Sequence, residues 1–204
     1  MPVTAIVIIA AIVMFTVELL APGRSFPKVA GWWWRAALLN GIQIGSVYLT
    51  GVTWDRWLPG HSLFNGAALG DTGGAIVGYL AITFIYYWWH RWRHEIGILW
   101  RWFHQVHHSP QRIEIITSFY KHPFEILVNG LLSSAILYAL VGVSTKAATI
   151  AVLVTGVAEL FYHWNVKTPY WIGFFFQRPE SHCVHHQEHL HKFNYSDIPL
   201  WDQI

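Results

Sequence analysis

LWRWFHQVHHS at residues 99–109 and RPESHCVHH at residues 178–186 carry the same HxxHH spacing at two distant points of the chain. On a helix, positions i and i+4 share a face and i+3 lies beside them. His104 and His108 therefore form a pair with His107 set off to one side, and His182, His186 and His185 repeat the pattern. His90 and His94 add an HxxxH pair, and His163 stands alone at the end of an apolar run. Of 13 histidines, His61 is isolated, six fall in 90–122 and six in 163–191. If 90–108 formed one straight helix, its ends would lie about 27 Å apart. Convergence on one site thus predicts a bend near Trp100–Trp102.

Outward from these segments the chain is apolar. Hydrophobic residues make up 54% of the 204, charged residues 12%, and mean hydropathy is +0.34, whereas soluble domains carry about 25% charge. Val3–Leu20, Trp32 to about Val52, about Gly73 to Trp89, Phe124–Val143 and Ala147–Tyr162 read as four or five spans of a bilayer core about 30 Å thick. The last two are short enough to be a hairpin that dips into the membrane. Met1-Pro2-Val3-Thr4 offers no basic leader, so the first run reads as retained. Trp32–Trp34, Trp54, Trp57, Trp88 and Trp89 sit at run ends, as an aromatic belt would. All basic residues except Arg56 and Lys146 fall on the side of the histidine segments, which places those segments in the cytoplasm. Trp171–Phe176 is too short to span and reads as an interfacial segment. The expected architecture is an all-α polytopic membrane bundle, a single unit over 1–204. Spans occupy 1–79, and a histidine-motif region follows over 80–204 as a helical cap. A net charge of +2 excludes a nucleic-acid partner held by charge neutralisation. Cys183 alone excludes a disulfide framework and a Cys-rich zinc module.

The remaining chemistry is metal binding. Neutral imidazole suits Zn, Cu, Fe and Ni. A structural zinc uses four ligands, fewer than the histidines gathered here, and neither Glu-x-x-His pairs nor HExxH occur. The spacing points to an all-nitrogen site for one or two metals, with the 104/108 and 182/186 pairs facing one way and His107 and His185 serving an adjacent ion. A bis-His haem would need ligands facing one another inside the bilayer; a transporter would place its ligands near mid-membrane.

HRWRH (90–94), LWRWFHQVHHS (99–109), YKHPFE (120–125), FYHWN (161–165), RPESHCVHH (178–186) and NYSD (194–197) together resemble the fatty acid hydroxylase superfamily, over roughly residues 80–204. That group includes sterol desaturases and sphingolipid hydroxylases. The resemblance implies an integral membrane enzyme with a cytoplasmic di-iron centre that uses O2 and two electrons to hydroxylate or desaturate a lipid C–H bond. It implies nine ligands: His90, His94, His107 and His185 on one iron, and His104, His108, His163, His182 and His186 on the other. Zinc can replace ferrous iron during purification. Members of the superfamily usually continue past Trp201–Ile204, so the chain is expected to be a fragment or a trimmed form.

Around the ligands, His122 is expected to hold its loop by hydrogen bonds, and Glu159, one turn before His163, either to accept a proton from that ring or to face a polar seam in the bundle. Glu125 invites the same role with weaker geometry. His189 reads as hydrated, Asn194 as a turn residue, and Glu18 has no identifiable partner. A lipid from the bilayer is the expected substrate. No GxGxxG follows a strand and no Fe–S cysteine set is present. Electrons are therefore expected from an external b-type cytochrome or ferredoxin-like carrier with its reductase. The alternatives are a zinc-dependent membrane lipid hydrolase and a non-catalytic His-rich metal-handling protein.

Overall fold

The computed structural model describes residues 3–58 and 60–204; the reading of the extreme N-terminus at Met1-Pro2 lies outside them. The long apolar runs form helices: α1 (Val3–Leu20), α2 (Trp32–Val52), α4 (Gly70–Glu95), α6 (Pro123–Ser134) and α7 (Thr145–His163). Short helical turns fill the polar segments: α3 (Trp54–Trp57), α5 (Gly97–Leu99) and α8 (Pro179–His185). No strand occurs among the described residues.

Three helical stretches are long and apolar enough to cross a membrane: Gly66–Glu95, Pro123–Val141 and Thr145–His163. Of the four or five expected spans, the last three meet that standard. The first is counted over the described residues as the apolar stretch Thr4–Leu20. Helix α2 has the length, but three tryptophans, Arg35, Asn40 and Gln43 dilute its apolar content. Asn40 uses its amide to reach the Ile116 carbonyl at 2.9 Å, tying α2 to the polar segment.

The centre of the bundle is built on small residues. Gly74 and Gly78 lie one turn apart on α4, opposite Ala147 and Ala151 of α7. A Cβ on Gly78 would sit 2.8 Å from Leu137 Cδ2, and one on Gly74 3.2 Å from Ala147 Cβ. Small residues at four-residue spacing let helix backbones approach in lipid, where dispersion replaces the hydrophobic effect as the driving force. Around this contact Ile82, Ile136, Leu137, Val141 and Val143 complete a buried core.

Interruptions of the helices direct the histidines. Helix α4 stops because Ile96 turns extended (φ −105°, ψ 109°). The chain restarts in α5 and runs into a π-helical turn, Trp100–His104. The bend thus lies at the Ile96–Gly97 step, a turn before the predicted place. A β-branched residue followed by glycine is the weakest helical dipeptide in the stretch. The wide π turn, a common functional irregularity, then occupies the tryptophan-rich stretch. Helix α6 likewise continues as a π segment over Ala135–Val141 and ends at Gly142. Gly142 has φ +71°, and a Cβ there would run into the Phe64 carbonyl.

Glu18, without a partner in the sequence, has two in the fold. It is 4% exposed, and its Oε2 accepts the Ile115 amide at 2.9 Å and the Asn165 amide at 2.7 Å. The Met14 carbonyl accepts Trp164 Nε1, so α1 is pinned to both polar segments that carry histidines. Tyr170–Phe174 forms a 3₁₀ turn with Tyr170, Trp171 and Phe174 exposed. Glu18→Ala should cost about 2–3 kcal/mol by orphaning two buried amides, while Glu18→Gln, whose single amide oxygen can still accept both, should cost less. Thermal unfolding in detergent reads the difference, and equal losses would refute the clamp.

Candidate metal centre

Helices α4 and α7 end at one level, with His90 and His94 in the last two turns of α4 and His163 as the final residue of α7. The π turn delivers His104 and the residues just after it His107 and His108. Helix α8, started by Pro179 at its first position, delivers His182 and His185, with His186 at its end. His104, His163 and His185 are at most 1% exposed.

The nine rings form two groups, within each of which the candidate ligand nitrogens lie within 4.8 Å of one another. One contains His90, His94, His104, His108 and His185, the other His107, His163, His182 and His186. The groups abut through His108 and His186, whose rings stack at 4.1 Å. Membership matches the nine residues of the sequence reading, but the partition does not. His104 and His108 join His90, His94 and His185, and His107 joins His163, His182 and His186. The two i,i+4 pairs therefore face different groups rather than one. Spacing fixes which histidines of a turn share a face; rotation of each segment about its axis, set by packing, decides what that face meets. Within each HxxHH the outer two rings enter one group and the middle ring crosses to the other.

Tautomers follow from the outer hydrogen bonds. The Nδ1–H of His90 donates to the Tyr195 carbonyl (2.7 Å), that of His185 to Phe193 (2.9 Å) and that of His163 to Glu159 (2.9 Å). A neutral ring has one N–H, so each of these Nε2 atoms carries a bare lone pair. Yet His90 Nε2 and His185 Nε2 are 3.2 Å apart, as are His163 Nε2 and His107 Nε2, whose Nδ1 faces the Tyr120 carbonyl at 3.4 Å. His163 to His182 is 3.2 Å and His182 to His186 3.1 Å. Where outer bonds fix both lone pairs, as for His90 and His185, the facing nitrogens repel unless a cation lies between them. Nitrogens about 2.0 Å from one ion at tetrahedral angles would lie about 3.3 Å apart. His104 Nε2 and both nitrogens of His108 are buried with no hydrogen-bond partner. The donor set therefore fits one metal ion per group, on nitrogen alone.

Electrostatics agree. Burial, reinforced by neighbouring rings, holds His107, His108, His182 and His186 well below the ordinary imidazole value; burial together with Arg93 does the same for His104 and holds His185 at about 3. All are neutral at pH 7, the state a metal requires.

The surrounding residues differ from expectation in places. Glu125, expected to be the weaker of the two acids, is fully buried; it accepts from His104 Nδ1 at 3.0 Å and pairs with Arg93. The cap–Pro–x–Glu order of 122–125 puts this acid in the first turn of α6, and the His122 ring caps that helix by accepting the Phe124 amide. The Glu159 carboxylate does not hold His163: it pairs with Lys121, and the Glu159 carbonyl takes the ring instead. A backbone carbonyl has two lone pairs, and this one takes the ring four residues on as well as the Ser118 hydroxyl at 3.3 Å. His189 is exposed, and Asn194 bonds the Ser181 carbonyl at 3.3 Å. Sequence reading missed Arg93, Lys121 and the carbonyls of Tyr120, Phe193 and Tyr195. Arg93 lies inside HRWRH and was within reach of a reading; backbone carbonyls leave no trace in residue type.

The sequence profile of the fatty acid hydroxylase family matches residues 75–204. The chain is 28% identical over 133 residues to proteins of Oryza sativa subsp. indica and subsp. japonica, each named very-long-chain aldehyde decarbonylase GL1-9. The match covers 63% of this chain and 52% of those, so the chain spans about half the length of the curated relatives it matches. No solved structure matches it.

Two outcomes follow from the geometry. In metal-free protein the folded histidines refuse protons that unfolded ones, with pKa about 6.5, accept. Stability should therefore be level above pH 7 and fall as pH drops below 6.5 toward 3, by up to about 1.4 kcal/mol per unit per histidine. An unfolding temperature unchanged down to pH 5 would contradict this. Glu125→Ala should weaken metal affinity by about 10–100-fold, read by competition with a chelator of known affinity.

Proposed function

The chain belongs to the fatty acid hydroxylase family, and from that premise we propose that it is an integral membrane di-iron oxidoreductase that uses O2 and external electrons to hydroxylate or desaturate a C–H bond of a lipid. The observation that carries this reading is the pair of buried histidine groups whose Nε2 atoms face one another at 3.1–3.2 Å. His90, His94, His104, His108 and His185 would hold one iron, and His107, His163, His182 and His186 the other. When bound, iron supplies the oxidising power that an unactivated C–H bond demands. The protein fixes the rings, through the carbonyls of Tyr195, Phe193 and Glu159 and through Glu125, and keeps the imidazoles deprotonated by burial. It also sets the centre at the ends of apolar helices, where a bilayer lipid can approach without crossing water.

The candidate substrates are a sterol, a sphingolipid or a fatty acyl chain. The name of the rice relatives adds long-chain aldehydes to the compounds worth assaying. The excess of basic residues beside the histidine segments supports a cytoplasmic site, within reach of a b-type cytochrome or ferredoxin-like carrier and its reductase.

Full-length protein loaded with ferrous iron should hold two irons per chain and consume O2 only when reductant is supplied. Lipid mass spectrometry should then show gain of one oxygen or loss of two hydrogens. His107→Ala and His185→Ala should each lower turnover by about 100-fold or more without changing membrane insertion, and His61→Ala should have no effect. Zinc with O2-independent hydrolysis, or bound metal with no turnover, would overturn the reading in favour of a hydrolase or a metal-handling protein.

A further inference from the structure

Arg35 stands in the first turn of α2, and its Nε is buried with no hydrogen-bond partner among the described residues. None of the ion pairs formed among those residues uses it. The acid bonded by the neighbouring Trp32 is already occupied. Glu114 Oε1 accepts Trp32 Nε1 at 2.5 Å and Arg112 Nε at 2.8 Å, and its Oε2 accepts Arg112 Nη2 at 2.8 Å. A guanidinium is always charged, and a buried donor without a partner is costly. The charge of Arg35 thus has no anionic partner among the described residues.

Arg35 borders a cavity of about 240 Å³ lined also by Val29, Trp32, Ser109, Gln111 and Tyr120, with no acidic residue in its wall. This volume is below the about 300–1,000 Å³ that encloses a whole drug-sized ligand, so it suits a small polar head and not an acyl chain. Its wall is shared with the histidine centre. Ser109 directly follows His108, and the Tyr120 carbonyl faces His107 Nδ1 at 3.4 Å. The Tyr120 ring stacks on Trp32 at 5.2 Å. Trp33 and Trp34, beside it on α2, are exposed, as tryptophans at headgroup depth are.

We propose that this cavity is an oxyanion subsite, in which Arg35 binds the carboxylate or phosphate head of an acidic amphiphile whose chain remains in the bilayer. This rests on the reading of the protein as a lipid-modifying enzyme and narrows its substrate class to acyl lipids with an acidic head, away from sterols and neutral sphingolipids. Arginine is suited to the task because its planar fork meets a carboxylate or phosphate with two parallel hydrogen bonds.

The test is equilibrium binding to the full chain in uncharged maltoside micelles, with palmitate and hexadecanol as matched probes and inorganic phosphate as a third. Palmitate should bind at least about tenfold more tightly than hexadecanol. That preference should collapse to about one in Arg35→Gln and in the cavity-filling Gln111→Trp, and survive in part in Arg35→Lys. Equal binding of the two probes to the unaltered protein, or a preference intact in Arg35→Gln, overturns the proposal. Phosphate binding that needs Arg35, without any preference for palmitate, marks a free-anion site and overturns the headgroup assignment. Iron content and O2 uptake do not enter these measurements, so a failed oxygenase reading and a failed subsite are told apart.

Discussion

The structure turns on the repulsion among buried imidazole lone pairs. Burying one polar atom without a partner costs about 1–3 kcal/mol, and here several ring nitrogens from four chain segments face one another away from water. Everything nearby works to keep them there. Carbonyls at helix ends and in the 193–195 loop take the outer N–H groups, the Arg93–Glu125 pair steadies His104, and Lys121 neutralises Glu159 beside His163. Such an assembly is intelligible as a receptor for cations and is hard to account for as a hydrophobic core with stray histidines.

The apolar part of the molecule serves this end. Gly74 and Gly78 against Ala147 and Ala151 bring α4 and α7 into backbone contact. Their C-terminal ends, each carrying histidine, are thereby held side by side. Glu18 and Trp164 fasten α1 to the same level. A tight helix pair in the bundle and a tight ring cluster at its end are one construction, since loosening the first would separate His90 from His163.

Much of this was visible in the residues. The HxxxH and HxxHH spacings, the solitary His163 and the apolar runs around them pointed to helices converging on metal, and the same nine rings meet in the fold. What the spacing could not convey was rotation. Whether His104 and His108 face the partners of His90 or those of His163 depends on how the π turn is packed, and the middle ring of each HxxHH crosses over. The break at Ile96 carries only a weak local signal beside the bulky tryptophans that follow it. Partners contributed by main chain, such as the Glu159 carbonyl and the amides that Glu18 accepts, have no residue signature. The polarity of α2 was legible, however: Arg35, Asn40 and Gln43 are what set it apart from the more apolar helices.

The crossing of the middle rings has a bearing on biogenesis. Each group draws on both the 90–108 and the 163–186 segments, so neither half of the polypeptide contains a complete coordination sphere. As the chain emerges from the ribosome and its early helices enter the bilayer, His90 and His94 must wait, unmetallated, for His185 to be translated. Metal capture is therefore a late, post-translational event that closes the two ends of the fold upon each other.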